Sequence, residues 1–327
     1  MIRSRVGKLA VGRVRRSMKF LHASPTVLAI VAVSAGVCGM LMSFPTKAQS
    51  LLDGYWQLLL NEDVNEYGPG PDEGDYGGLP ITPAARLAAH TWNPELISLP
   101  QLQCEPFPST YGPRAVTLMR IWEERDPITQ QQSQIETWVE WQSQHRHIWM
   151  DGRGHPPPWA QGSWQGFSTG KWVGNVLQVH TDMLKPYYIA RNGLPLDDKA
   201  TMDERFFRYG DVLTDFMMIS DPQYLTRPVI ESKNYERLPQ GFMQAYPCRA
   251  NDEVPRARGI VPMHLPGDTD ALNYGPVRSG IPLRAAQGGA QTMFPEYQDY
   301  MKGLPPNPPL SQVQKAERKA VSQETGR

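Results

Sequence analysis

The sequence predicts a mainly β protein: an antiparallel meander that forms a lipocalin-like barrel or half-barrel, with a β-sandwich as the alternative. Three observations support this fold class. Between residues 115 and 248, apolar and polar residues alternate in segments rich in β-branched and aromatic side chains. Turn-forming stretches such as "RDP", "DGRG" and "SDP" separate these segments. The 31 prolines and 28 glycines indicate long loops and only a few short helices.

Residues 1–48 have the pattern of an export signal. A basic segment without acids precedes the apolar run of residues 26–44, and "TKAQS" follows it, which predicts cleavage after Ala48. The run is also long enough to serve as an uncleaved membrane anchor. In both cases we expect the rest of the chain to be periplasmic or secreted, with membrane contact only through this segment if it is retained.

The chain beyond the leader is acidic and contains two cysteines. Eight of the 33 basic residues and none of the 33 acidic residues lie in residues 1–48, so the remainder has a net charge of −8. This charge argues against nucleic acid as a partner. In an oxidising compartment, Cys104 and Cys248 are predicted to form a disulfide, with two free buried thiols as the alternative.

Three regions follow the leader. Residues 49–114 are predicted to contain loops and short helices, one of them capped by Thr82 with Pro83 at its first position. Residues 115–248 form the β domain, whose neighbouring strands should pair antiparallel because the connections are short. Residues 249–327 are predicted to be a loop-rich extension with a frayed tail.

The segment "HIWMDGRGHP" holds the densest group of chemically active side chains. His145 and His147 share one face of a predicted strand, and His180 and Asp182 share a face of a later one. The spacing matches no metal-binding motif, and a tight turn explains Asp151. We therefore predict no metal and no cofactor here. The four residues on the two strands remain candidate acid–base groups for an enzyme.

A second motif, "GFSTG" at residues 166–170, matches the G-x-S-x-G pattern of hydrolase nucleophiles. That chemistry needs the serine on a turn between a strand and a helix. The following "KWVGNVLQVHTD" predicts a strand hairpin, so we interpret the glycines as permitting a bend rather than Ser168 as a nucleophile.

Six tryptophans fall between residues 138 and 172, where they belong either to the core alone or to a core that surrounds a cavity. The pocket hypothesis requires the His180 face of its strand to point inward; a solvent-facing orientation is the alternative. The predicted ligand contacts are Trp138, Trp149, Trp172, Gln178 and His180.

Several segments, among them "DGRGHP" and "GFSTGKWVGNVLQV", resemble a family of exported bacterial proteins of uncharacterised function. The similarity extends from about Asp53 to Gly303. At Asn175 and Gln178 the chain departs from the acid and the β-branched residue of the family pattern, and "PCRANDE" departs from its Cys-Glu. The resemblance implies export and a β-rich fold, and it implies no reaction, ligand or catalytic residue.

The leading functional prediction is an exported protein that binds a small amphipathic molecule in a barrel-like pocket. The second is a periplasmic enzyme that uses His and Asp for acid–base chemistry. The third is an envelope interaction module, in which the proline-rich tail and the acidic loop of residues 61–80 contact a partner protein.

Overall fold

The computed structural model describes most of the chain beyond the leader. The described residues are 51–60, 70–114, 118–244, 248–257, 259–267 and 270–315. The predicted leader, residues 61–69 of the acidic loop and the tail beyond residue 315 lie outside these ranges. None of the helices in the described ranges has the length and apolar character that crossing a bilayer requires.

Within these ranges, nine strands close into a barrel and two more form a separate hairpin. The strands are β1 (Gly54–Leu58), β2 (Leu118–Arg125), β3 (Gln132–Val139), β4 (Gln144–Trp149), β5 (Phe167–Val173), β6 (Val176–Asp182), β7 (Tyr187–Ala190), β8 (Leu194–Leu196), β9 (Thr201–Tyr209), β10 (Val212–Ser220) and β11 (Val229–Leu238). Around the barrel the order is β1, β11, β10, β9, β6, β5, β4, β3 and β2, which pairs again with β1. The predicted fold class is confirmed.

One pairing differs from the expected meander. β4 and β5 run parallel, with Ile148 opposite Ser168, whereas all neighbours were predicted to be antiparallel. The prediction assumed short connections, and the loop of residues 150–166 is long enough to return the chain to the end of the barrel where β4 begins. The turn within it forms as predicted: Gly152 has a φ of +68° and Asp151 Oδ1 accepts from the amide of Arg153 at 3.1 Å.

The alternation of side chains determines what fills the barrel. In β9 and β10, buried residues alternate with more exposed ones, as a strand with one inward face requires. One apolar cluster, which includes Trp56, Ile121 and Leu213, fills one end of the barrel. Another includes Met202 and Met217 and extends beyond the opposite end.

The described ranges also contain short helices. They are α1 (Pro83–Thr91), α2 (Asp270–Arg278), α3 (Leu283–Ala286) and α4 (Pro295–Lys302), with 3₁₀ turns at Pro94–Ser98, Gly112–Arg114, Trp141–Ser143 and Ala290–Met293. As predicted, Pro83 opens α1 and Thr82 Oγ1 accepts from the amide of Ala85 at 3.2 Å. The buried face of α1 packs with Leu194 of the β7–β8 hairpin and with Met217, so the helix and hairpin cover one end of the barrel.

Cys104 and Cys248 form a disulfide, as predicted. Beside this bond, the side-chain amide of Gln103 donates to the carbonyl of Asn251 at 2.8 Å and accepts from its backbone N–H at 2.7 Å. The covalent bond and the paired hydrogen bonds fix the start of the C-terminal region against the segment that precedes β2.

Candidate functional site

The strand that was expected to carry ligand contacts turns its polar face outward. In β6, Leu177, Val179 and Thr181 are buried in the barrel, while Gln178 and His180 lie on the outer face. The hypothesis that the His180 face points into the concavity is wrong, and the solvent-facing alternative is the one that the structure has. The physical reason is that the apolar alternate positions gain more from burial than the polar ones.

The tryptophans of the predicted pocket are not brought together. Trp138 and Trp149 belong to the outer face, on which Trp149 stacks on His147 at 5.8 Å. Trp172 is half-buried against the barrel core, and its indole N–H donates to Gln132 Oε1 at 2.9 Å. These residues therefore serve in separate packing contacts.

The candidate acid–base residues form separate pairs on the outer surface. His180 Nδ1 lies 2.8 Å from Asp203 Oδ1, and His155 Nε2 lies 2.8 Å from Asp182 Oδ2. The hydrogen bond to Asp182 raises the pKa of His155 above its ordinary value. His180 and Asp182, two of the acid–base groups that the enzyme hypothesis named, therefore have different partners.

Inside the barrel, a network of polar side chains crosses between β4, β5, β6 and β9. Arg146 Nη1 donates to Glu204 Oε1 at 2.9 Å, and Nη2 donates to Glu204 Oε2. The same guanidinium donates to Ser168 at 2.9 Å and to Thr181 at 2.6 Å. Ser168 thus lies within a strand as a buried partner of Arg146, in agreement with the interpretation that it does not occupy a nucleophile elbow.

Asp215 extends this network from β10. Burial, and then the negative charge of Glu204, raise the pKa of its carboxyl well above the ordinary value, while Arg146 and Lys233 oppose the shift. With Arg146, it lines a cavity of about 20 Å³. This space holds about one water molecule, far less than a ligand site needs.

A larger opening lies outside the barrel, beside the β7–β8 hairpin. We call it the aromatic cleft; its walls are Phe107, Trp141, Tyr187 and Tyr188, and Ile97, Leu102, Gln103, Glu105, Gln142 and Arg191 complete its lining. Its volume is about 150 Å³. All four aromatic side chains are only half-buried, so their rings combine packed edges with surface that faces the cleft.

Ring-to-ring contacts hold the walls of the aromatic cleft in place. Phe107 lies 5.9 Å from Tyr187 and 6.3 Å from Trp141, and Tyr187 lies 4.7 Å from Tyr188, measured between centroids. These distances fall within the range in which aromatic pairs attract. Burial raises the pKa of the Tyr187 phenol far above its ordinary value, so this ring stays neutral.

The rim of the aromatic cleft is polar. Burial raises the pKa of the Glu105 carboxyl, with the positive charge of Lys185 opposing it. Arg191 lines the cleft and also an adjoining open groove of about 370 Å³ that reaches Asp72 and Glu73. The arrangement suits a molecule with an apolar body in the cleft and a polar end towards the groove.

Sequence reasoning missed the aromatic cleft because its walls come from loops and a small hairpin. Phe107, Trp141 and the pair Tyr187–Tyr188 are far apart in the chain and follow no common period. The local signal was the aromatic content of "EPFPSTYG" and "KPYY", in segments of high proline content. Only the fold brings these segments together.

No protein-family model, curated protein or solved structure matches this chain. The resemblance stated from the sequence therefore remains a prediction, and the geometry of the site carries the functional argument.

Proposed function

We propose that this chain is an exported binding protein for a small, partly apolar molecule, and that the molecule occupies the aromatic cleft rather than the barrel interior. The observation that carries the proposal is the set of four half-buried aromatic walls with Arg191 and Glu105 at the rim. Aromatic walls with few polar groups are typical of small-molecule sites.

The chemistry of the cleft favours a flat ligand. Tyr187 and Tyr188 offer ring faces and edges to a planar apolar body, and Arg191 offers guanidinium donors to a carboxylate, sulfonate or carbonyl group. In the adjoining groove, Asp72 is paired with Arg278 at 3.0 Å and Glu73 with His264 at 3.1 Å, so their polar atoms already have partners.

Binding can be tested with 8-anilino-1-naphthalenesulfonate, a planar probe with one anionic group. We expect saturable quenching of tryptophan fluorescence by the native protein. We expect Trp141→Ala to weaken binding at least about tenfold, because an aromatic wall at the centre of a site contributes 1–2 kcal/mol or more.

Two substitutions serve as controls. Trp159→Ala removes an exposed tryptophan outside the cleft, and His180→Ala removes the residue that the barrel-pocket hypothesis favoured. Both should leave probe affinity unchanged. Absence of saturable binding to the native protein, or equal weakening by His180→Ala and Trp141→Ala, would contradict the proposal.

Export is part of the same proposal and is supported by the leader pattern and the disulfide. We expect the protein isolated from its natural host to begin at Gln49, as measured by N-terminal sequencing of the periplasmic or secreted fraction. An intact Met1 on protein recovered from the cytoplasm would refute this.

The interaction-module alternative has its own supporting observation. In the C-terminal region, Val254, Ile260, Val261, Met263 and Leu265 are between 42% and 69% exposed. Such a concentration of exposed apolar side chains in one segment is typical of surfaces that contact a partner. If the probe does not bind the aromatic cleft, this function becomes the leading one.

A further inference from the structure

The outer face of the barrel carries a compact group of three side chains that can ligate a metal ion. Glu136 on β3 lies directly opposite His147 on β4, and His145 precedes His147 by two positions on the same face. One carboxylate oxygen and one nitrogen from each imidazole all lie within 4.8 Å of one another. The group has no connection with the aromatic cleft, so the inference is independent of the proposed function.

Glu136 is unusual for an outward-facing carboxylate, because its side chain is only 2% exposed. Its Oε1 lies 2.8 Å from Nδ1 of His147, and the two atoms share a hydrogen bond. Its Oε2 lies 2.7 Å from Nε2 of His145, yet it makes no well-aligned hydrogen bond with any described residue. A buried carboxylate oxygen in this state is costly unless a positive charge lies beside it, either the imidazolium form of His145 or a bound cation.

Flanking tryptophans orient both imidazoles. Trp122 stacks on His145 with centroids 5.4 Å apart and Trp149 stacks on His147 at 5.8 Å. The guanidinium carbon of Arg153 lies 3.3 Å from the centroid of Trp149. Arg153 thus holds in place the ring that stacks on His147. The rings are thus held before an ion arrives, and little order has to be created on binding.

We propose that Glu136, His145 and His147 form a surface site for Zn²⁺ or a similar borderline divalent ion. Two imidazoles and one carboxylate are a ligand set that such ions accept, with the remaining positions open to water or an external ligand. The imidazoles are 45% and 48% exposed, so the ion reaches the site from solvent. Tetrahedral coordination with bond lengths of roughly 2.0–2.2 Å places ligand atoms about 3.4 Å apart. The contacts of 2.7 and 2.8 Å between Glu136 and the two imidazoles must therefore lengthen, and pairs of ligand atoms up to 4.8 Å apart must shorten.

The sequence predicted no metal at this segment, because the spacing of its histidines matches no known motif. The missing ligand, Glu136, lies on the neighbouring strand, and only the register of β3 with β4 places it beside the two histidines. His155, which follows the turn of the same segment, pairs with Asp182 at 2.8 Å and is not one of the three grouped side chains.

The test uses untagged full-length protein, stripped of metal with a chelator and titrated with Zn²⁺ by calorimetry at pH 7.5. We expect one Zn²⁺ per chain. Co²⁺ should give visible absorption bands of a nitrogen- and oxygen-ligated ion, which a merely structural role for these residues would not produce.

Variants distinguish the site from adventitious binding. His145→Ala and Glu136→Gln should each weaken Zn²⁺ binding by about 100-fold or more, since even outer partners of metal ligands contribute 10- to 100-fold. His180→Ala removes a surface histidine that is also paired with a carboxylate, and it should change nothing. Because His145 is substantially exposed, its variant stays folded even if Glu136→Gln does not. No stoichiometric uptake, or uptake unaffected by His145→Ala, would overturn the proposal.

Discussion

Replacing Glu204 by glutamine is expected to lower the free energy of unfolding by about 3–5 kcal/mol. The substitution keeps the shape of the side chain and removes its charge, so the Arg146 guanidinium loses its hydrogen-bonded counter-ion and keeps only the charge interaction with Asp215. The Arg146 side chain is 6% exposed and that of Glu204 is fully buried, so bulk water does not replace the lost partner. Urea denaturation at pH 7, followed by tryptophan fluorescence, measures the loss.

Asp215→Asn is the matched control, because it removes another buried carboxylate from the same network. Burial raises the pKa of Asp215 well above its ordinary 3.8, so the folded protein holds this proton more tightly than the unfolded chain does. The native protein therefore loses stability as pH rises from about 4 through the folded pKa, and the asparagine variant does not share this loss.

We accordingly expect Asp215→Asn to lower the free energy of unfolding far less than Glu204→Gln does at pH 7. The stability of the asparagine variant relative to the native protein should also increase between pH 4 and pH 7. Equal destabilisation by the two substitutions at neutral pH would show that the Arg146–Glu204 pair is not the dominant charge interaction of the interior.

The strands that alternate strictly were predictable from the sequence. β9 and β10 show a period of two in burial over nine residues each, and their inward positions are apolar except for Glu204 and Asp215. β1 was missed because "GYWQL" has five residues and no clear alternation, although it closes the barrel between β2 and β11. Closure is a long-range property that local pattern does not reveal.

The interior network shows why the alternation of apolar and polar residues does not by itself tell which side chains point into the barrel. Arg146 and Glu204 occupy inward positions of their strands, where a sequence pattern predicts apolar residues. Their burial depends on one another, across 58 positions of the chain. For His180, the sequence shows the alternation with apolar neighbours but does not show which of the two strand faces points inward.

Breaking the disulfide by changing Cys104 and Cys248 to serine is expected to lower the free energy of unfolding by about 3–5 kcal/mol. The bond joins residues 144 positions apart and so closes a loop that contains every barrel strand except β1. Without it, the unfolded chain gains conformational freedom, while the barrel hydrogen bonds remain unchanged. The expected measurement is a lower urea midpoint with a retained β-type circular dichroism spectrum.

Gln103→Ala provides the control for this prediction. It removes the two hydrogen bonds to Asn251 and the one to the Ser98 carbonyl but keeps the covalent bond, so its effect should stay at about 1–2 kcal/mol. The double serine variant should also bind the fluorescent probe more weakly, because Leu102, Gln103 and Glu105 line the aromatic cleft and flank Cys104. If the serine variant unfolds at the same urea concentration as the native protein, the bond does not stabilise the fold and its role lies elsewhere. If stability falls but probe affinity does not, the segment around Cys104 keeps its place through the Gln103–Asn251 hydrogen bonds and the ion pair of Arg256 with Glu95, at 2.7 Å, rather than through the disulfide.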